Sequence, residues 1–468
     1  MTKSSDVDVV IVGGGISGLA AAYELQQRGL RFELLEASSR FGGVILTETI
    51  DGFTIDAGPD ALLAQKPAGL KLCAELGLQN HLQSTLEPRT AFILRNDVLH
   101  ALPEASILGI PTRMAPFIST GLFSLMGKLK FSLDLIRPRG SYGPDNDESI
   151  GSFFTRRFGK ESVDYLAEPL LAGIHAGNVE QLSIRALFPR FLEAEHRYRS
   201  LILGFRQQAK KTASGGAFRS LPGGLEQLVH ALAKALPRAH LQQQNKVVRL
   251  EASRPYVVHC DSGKAIRART VILAIPAEHA ATLVTGFNSK LANLCRDIPH
   301  VSTATIALGY RRQAIRHPLK GTGFVVPRVE RGTRITAASW VSSKWPGRAP
   351  SGQVLLRAFL GGRRDATVLD QPDAELIHIA HRDLARLLKI DEEPRLSKVY
   401  RWLRSTPQHE VGHLSRLEQI EAQLQKHPGL YLIGSSFRGA GIPDCIADAR
   451  ATAKRMAEEV EFHPAEGI

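Results

Sequence analysis

The stretch VDVVIVGGGISGLAAAYELQQRGLRFELLE, which begins at Val7, leaves little choice of fold. The β-branched run from Val9 to Val12 reads as a buried parallel strand, the run from Leu19 to Gln27 as a helix, and the segment ending at Glu36 as a second strand. Between strand and helix, Gly13, Gly15 and Gly18 form a GxGxxG turn. In such a unit the first glycine makes the tight turn, the second lets a pyrophosphate approach the backbone, and the third lets helix and strand pack closely. The helix amides, from Ile16 and Ser17 onward, then face the phosphates. Glu36, with Ala37 beside it, closes the second strand where a carboxylate accepts hydrogen bonds from a ribose. The unit predicts an α/β domain of Rossmann-like type that holds a dinucleotide.

This unit alone does not decide between nicotinamide and flavin. A second glycine pair, Gly42 and Gly43, follows Arg40 closely in RFGG. The pattern resembles the RxGG signature of FAD enzymes of the amine-oxidase superfamily, in which the segment wraps the diphosphate and the ribityl side of the flavin. Val44 stands where many members carry a second arginine. The turn DAGPD, with Gly58, Pro59 and Asp60, resembles the one that brings backbone near the isoalloxazine; a plain structural turn is the alternative. Near the chain's end, LYLIG reads as a last parallel strand, and GSSFRGAGIPDCIADARATAKRM as a glycine turn entering a helix. Gly434, Gly441, Ile442 and Pro443 then present a helix start to the same cofactor from its other end, with the positive end of the helix dipole toward the flavin's pyrimidine edge.

The order of segments predicts a discontinuous α/β chain, α+β as a whole. Residues 1–65, 217–290 and 405–468 form the FAD domain, residues 89–216 a helical insertion, and residues 291–404 an antiparallel-sheet domain for substrate. In the superfamily a valine of the returning strand, here Val247, holds the adenine through backbone groups, and a tryptophan matching Trp402 packs by the flavin; core roles suit both residues equally well. The net charge of +13 is spread along the chain without an aromatic stacking array, which sets nucleic acid aside. Cys73, Cys260, Cys295 and Cys445 are scattered, so neither a metal site nor a disulfide framework is indicated and a reducing, cytoplasmic setting is expected. Between Arg113 and Arg139, Arg113, Lys128, Lys130, Arg137 and Arg139 face a single acid, Asp134, among Phe, Leu and Met. The mixture suits peripheral contact with an anionic membrane, and equally an amphipathic stretch packed on its own protein; burial separates the two.

The motifs GGGISGL, RFGG, LPGG, VILAIPA and the segment RWLRSTPQHEVGHLSRLEQIEAQLQKHPGLYLIG carry the superfamily resemblance across nearly the whole chain. GPDALL, EPLLAGIHAGN and GSSFRGAGIPDCI resemble the protoporphyrinogen/coproporphyrinogen oxidases of haem synthesis, nearest the coproporphyrinogen III branch. Asn178 replaces the aspartate usual in the family's AGD turn. The resemblance implies non-covalent FAD, removal of six electrons from a porphyrinogen in three steps, and reoxidation by molecular oxygen with release of hydrogen peroxide. No nucleophile triad, metal cluster or carboxylate pair stands at telling spacing, so the expected protein groups position rather than react. Lys66, Gly173 and His175 are the candidates: a cation for a propionate, a place for close approach of the flat macrocycle, and a carboxylate contact. An amine oxidase or carotenoid-type desaturase on the same scaffold, and a non-catalytic flavin-binding protein, are the competing possibilities.

Overall fold

The computed structural model describes residues 5–103, 106–140, 143, 147–209 and 216–462. The remaining residues that the expected boundaries include, 1–4, 104–105, 141–142, 144–146, 210–215 and 463–468, lie outside the described residues. The strand Ser5–Val12 runs parallel to Phe32–Leu35 on one side, with Val9 opposite Phe32, and to Ala265–Leu273 on the other, with Val9 opposite Thr270. Ala265–Leu273 forks. Its residues 265–268 pair antiparallel with Tyr256–Cys260, which continues to Val247–Glu251, while residues 271–273 pair parallel with Leu430–Leu432. With Leu241–Gln242 at the far edge, the sheet has seven strands drawn from distant parts of the chain.

Both faces of this sheet are covered, which is why its first strand reads as an unbroken β-branched run. On one face Leu19, Ala21 and Ala22 of the helix Ile16–Gln27 share a core with Ile446, Ala449 and Ala453 of the C-terminal helix Ile442–Phe462. Small side chains there let the two helices approach closely. On the other face Ala280, Val284, Leu291 and Ile420 pack over Val10, Val12 and Leu273.

A second seven-stranded sheet runs in the order Leu396–Pro407, His300–Arg311, Gln353–Gly361, Ala337–Trp340, Gly323–Val325, Ala91–Arg95, Val98–Ala101. It corrects two expectations. Residues 91–95 and 98–101 belong to this sheet and not to the helical insertion. The sheet is also not wholly antiparallel: Ala91–Arg95 lies parallel to Gly323–Val325, because this edge arrives from a separate segment and not through a hairpin.

The helical part is organised on a phenylalanine core of Phe117, Phe131, Phe153, Phe154, Phe158 and Phe191. Pro169 lies inside the wide π-type helix Val163–Ala172, where its missing N–H loosens the regular ladder. Asp134, the one acid of the basic stretch, is fully buried; Arg157 Nε donates to it at 2.8 Å and Ser200 Oγ at 2.7 Å. The apolar side chains of that stretch divide. Phe117, Leu122 and Phe131 are internal, whereas Ile118, Leu125, Met126, Leu129 and Ile136 face solvent, Leu125 at 86% exposure.

Candidate cofactor and substrate site

The glycine turn is built as its spacing predicts. Gly13 N donates to Leu35 O at 2.8 Å, and a Cβ on Gly18 would stand 1.9 Å from Gly13 O, so a glycine is required there by the turn itself. Gly15 differs: a Cβ there meets nothing within 4 Å. The protein leaves room at Gly15 that its own packing does not use. Glu36 is held at the strand end, Oε2 accepting from Gly14 N at 2.6 Å and Oε1 from Ser38 N at 2.8 Å, with Ala37 exposed beside it.

The second glycine pair docks onto the first. Gly42 N donates to Gly14 O at 2.8 Å, Gly15 and Gly42 form a parallel bridge, and a Cβ on Gly43 would stand 3.5 Å from Gly15 Cα. Arg40 shapes this loop from within, donating to the carbonyls of Phe41 at 3.2 Å, Ile45 at 3.0 Å and Gly43. Its guanidinium is engaged with backbone, a structural role that the motif alone did not disclose. Gly434 closes the ring from the other end of the chain, where an added Cβ would lie 3.7 Å from Ser17 Oγ. Cys445, in the first turn of the helix Ile442–Phe462, also hydrogen-bonds Ser17 in the first turn of the helix Ile16–Gln27, so the starts of the first and last helices converge at one place.

The next wall is the 57–60 turn. Trp402 Nε1 donates to Ala57 O at 3.0 Å, and the Trp402 ring lies 3.7 Å from where a Gly58 Cβ would be. Pro59 is half-buried in the turn. The Asp60 side chain is taken up within the protein: its carboxylate accepts from Lys344 Nζ at 3.1 and 2.9 Å and from Trp345 Nε1 at 3.3 Å, which leaves the backbone of the turn as what it can offer a cofactor. Burial alone would raise its pKa, but the Lys344 and Arg357 charges outweigh that and hold it well below the usual carboxylate range. It is an internal anion and not a free contact for a cofactor. Val247 stands apart, half-buried opposite Cys260 on the face that carries Val12 and Leu35.

A third group gathers beyond the last helix start. Pro443 packs toward Gly69, Gly441 and Ile442 precede it, and Lys66 Nζ meets Asp444 Oδ2 at 2.6 Å. The His175 imidazole is near enough to feel both charges; desolvation, reinforced by the Lys66 ammonium, lowers its pKa to about 4, so it is neutral. Gly173 has a helical φ of −59° and is exposed, and a Cβ there would meet only Glu168 O at 3.6 Å. Helix termination does not explain Gly173, because the left-handed residue is Ala176.

Between these groups and the second sheet lies a cavity of about 430 Å³. Phe92, Phe324, Ala338 and Phe359 give it apolar walls, Asp60 and Ile174 mark two of its sides, and Arg89, Lys344 and Arg357 bring cations. Arg357 Nη1 also donates to Gly58 O at 3.1 Å, tying the cavity to the turn. None of these three cations is signalled by spacing in the sequence, since they come from separate strands and loops that only the sheet brings together.

The unused space at Gly15, the fixed Glu36 carboxylate and the two converging helix starts fit a flavin dinucleotide, whose phosphates Gly13, Gly42, Gly43 and Gly434 would surround. Comparison with known proteins agrees. The sequence matches the family described as flavin containing amine oxidoreductase over residues 16–457. It is 39% identical to a coproporphyrinogen III oxidase of Bacillus subtilis, covering 95% of this chain and 96% of that one. A coproporphyrinogen III oxidase of Staphylococcus aureus is 32% identical, covering 98% and 100% of the two chains. A solved structure from Exiguobacterium, a candidate protoporphyrinogen oxidase, superposes with a TM-score of 0.86 at 33% identity, covering 98% of this chain and 100% of that chain. On its glycine architecture and on this match across nearly its whole length, the chain belongs to the family of flavin containing amine oxidoreductases.

Proposed function

We propose that the protein oxidises a porphyrinogen to the porphyrin, with coproporphyrinogen III as the preferred substrate and molecular oxygen as the final acceptor. The observation that carries this is the cavity beside the 57–60 turn, apolar along its strands yet supplied with Arg89, Lys344 and Arg357. An apolar tetrapyrrole with carboxylate arms needs that combination. The porphyrinogen nucleus loses six electrons and six protons, and three molecules of oxygen become three of hydrogen peroxide. Non-covalent FAD, when bound, supplies the two-electron acceptor that oxygen regenerates.

The chain's own groups bind and orient. Apolar walls exclude water from the macrocycle, and the propionates meet cations at its edge. Arg89 is the most available of these, since its partner Glu87, 2.7 Å away, is a largely exposed carboxylate that a substrate carboxylate can replace. Lys344 and Arg357 are already shared with Asp60, so they hold the turn as well as the field. Neutral His175 offers a hydrogen bond and no charge. In this division of labour the first sheet and its helices hold FAD, and the second sheet holds substrate. The substrates of the alternatives, an amine for an amine oxidase and a carotenoid-type hydrocarbon for a desaturase, have no carboxylate arms to place against these cations.

A peripheral membrane contact belongs to the same proposal. Ile118, Leu125, Met126, Leu129 and Ile136 are exposed on one stretch beside Arg113, Lys130 and Arg139, and the one acid of the stretch is internal. No described helix is long and apolar enough to cross a membrane, so the contact would be with its surface.

The assay is porphyrin fluorescence and peroxide release from purified protein with each porphyrinogen under air. Coproporphyrinogen III is expected to show the higher kcat/KM, by about tenfold for one charge-assisted pair. A clear preference for protoporphyrinogen IX would overturn the branch, and turnover of neither would overturn the activity.

A further inference from the structure

Three imidazoles converge on three consecutive residues of the 434–441 loop. His409 Nε2 lies 2.9 Å from Ser435 O, His300 Nε2 lies 2.9 Å from Ser436 Oγ, and His413 Nε2 lies 2.9 Å from Phe437 O. The partners assign the protons. Against carbonyl oxygens, His409 and His413 must carry hydrogen on Nε2. His300 is the reverse, because its Nδ1 lies 3.0 Å from Ile298 O and donates there, leaving Nε2 to accept the Ser436 hydroxyl proton. Ser436 Oγ in turn accepts from Ala277 N at 3.2 Å. Burial lowers the pKa of all three rings and keeps them neutral, a second proton on His413 Nδ1 would find no acceptor among the described residues, and the His409 and His413 rings stack at 4.0 Å with an 11° tilt, where two cations would repel.

The histidines stand on elements outside the loop. His300 begins a strand of the second sheet, and His409 and His413 flank the short link from that sheet to the helix His413–Leu424. The same link is anchored to the helical part: Gln408 Nε2 donates to His175 O at 2.9 Å, Ser183 N to His409 O at 2.9 Å, and Val411 N to Gln181 O at 2.8 Å. One strap thus grips the turn of His175 on the substrate side and the loop of Ser435 on the cofactor side.

We propose that His300, His409 and His413 are positioning residues for the cofactor, neutral imidazoles that fix the 434–441 loop and hence the start of the helix Ile442–Phe462 where it meets the flavin. This rests on the flavin reading given above. A buried carbonyl left without its donor strains to find another, and in a loop with several glycines the cheapest relief is movement of the loop. The helix start would then withdraw, weakening both phosphate-side closure and the field on the ring.

The test compares His409→Leu with His409→Gln, because a glutamine amide can occupy the place of Nε2 and donate to Ser435 O. Apoprotein of each is titrated with FAD by quenching of flavin fluorescence, and the visible spectrum and midpoint potential of the bound flavin are recorded. Loss of one buried donor should weaken FAD binding about tenfold in His409→Leu and lower the flavin potential, with His409→Gln within about threefold of wild type. Equal impairment of the two variants, or a His409→Leu protein that binds FAD as wild type does, would overturn the proposal. If His409→Leu does not fold, His300→Phe decides: its ring is only half-buried, the expected effect is weaker FAD binding with an altered spectrum, and no change in either overturns it. Wild-type apoprotein that fails to bind FAD at all would refute the cofactor itself, a result distinct from the failure of any variant.

Discussion

Lys66 Nζ lies 2.6 Å from Asp444 Oδ2, joining the start of the helix Pro67–Glu75 to that of the C-terminal helix across 378 residues of chain. A lysine expected to wait for a substrate carboxylate is already paired with a protein carboxylate. Lys66 is about half exposed, so the pair contributes little to stability, less than about 1 kcal/mol once solvent screening is counted. It is a contact that a substrate anion can exchange.

From this exchange, Asp444→Asn should lower KM for coproporphyrinogen III by about threefold, since Lys66 is then released to the substrate, and Lys66→Ala should raise it by a similar factor. Both should leave the melting temperature within a few degrees. Steady-state kinetics on the two variants check the signs; a KM unmoved in both removes Lys66 from the substrate site.

The contrast between Gly15 and Gly18 gives a second expectation. A side chain at Gly15 meets no protein atom within 4 Å, whereas one at Gly18 collides with Gly13 O. Gly15→Val should therefore fold with a near wild-type apoprotein melting curve and purify colourless, because the valine stands in the pyrophosphate's place. Gly18→Val should lose stability outright. Absorbance near 450 nm, the usual flavin band, together with calorimetry separates the two outcomes.

Acid should act through the buried histidines. Desolvation, with His413 and His175 adding to it, brings His409 to about 3, and burial brings His413 to about 4. Both are neutral in the fold, while in the unfolded chain a histidine takes up its proton near pH 6.5. The unfolded state binds more protons, so the contribution is present above pH 6.5 and is lost as pH falls from there, toward about 4 for His413 and about 3 for His409. Melting temperature and flavin retention should decline across that window, and His413→Gln should flatten the decline. An equal slope in that variant would assign the acid sensitivity elsewhere.

For the membrane, co-sedimentation with anionic vesicles should occur at low salt and fall as salt rises, since each basic residue near the surface adds about 1 kcal/mol and is screened. Leu125→Asp with Ile136→Asp should abolish it without loss of enzyme activity, both side chains being exposed. Wild-type protein that stays in solution at low salt would leave these side chains without a lipid role.

What the sequence determined by itself are the features in which a residue type encodes local backbone geometry. The glycines at 13, 15 and 18, the pair at 42 and 43, and the loop entering Pro443 each specify a turn or a helix start within a few residues, and their order implies that the chain leaves the nucleotide sheet and returns to it. The tertiary structure alone decided where charges go. Asp134, the one acid of a basic stretch, is buried on Arg157, the Asp60 carboxylate is neutralised by Lys344, and Arg89 reaches the cavity from just ahead of the strand Ala91–Arg95, which pairs parallel with one more than 200 residues later. The three histidines meet one loop from two elements for the same reason. Periodicity and propensity act over a few residues, whereas the partner of a charge is set by which strands lie side by side, and a short pattern holds no record of that.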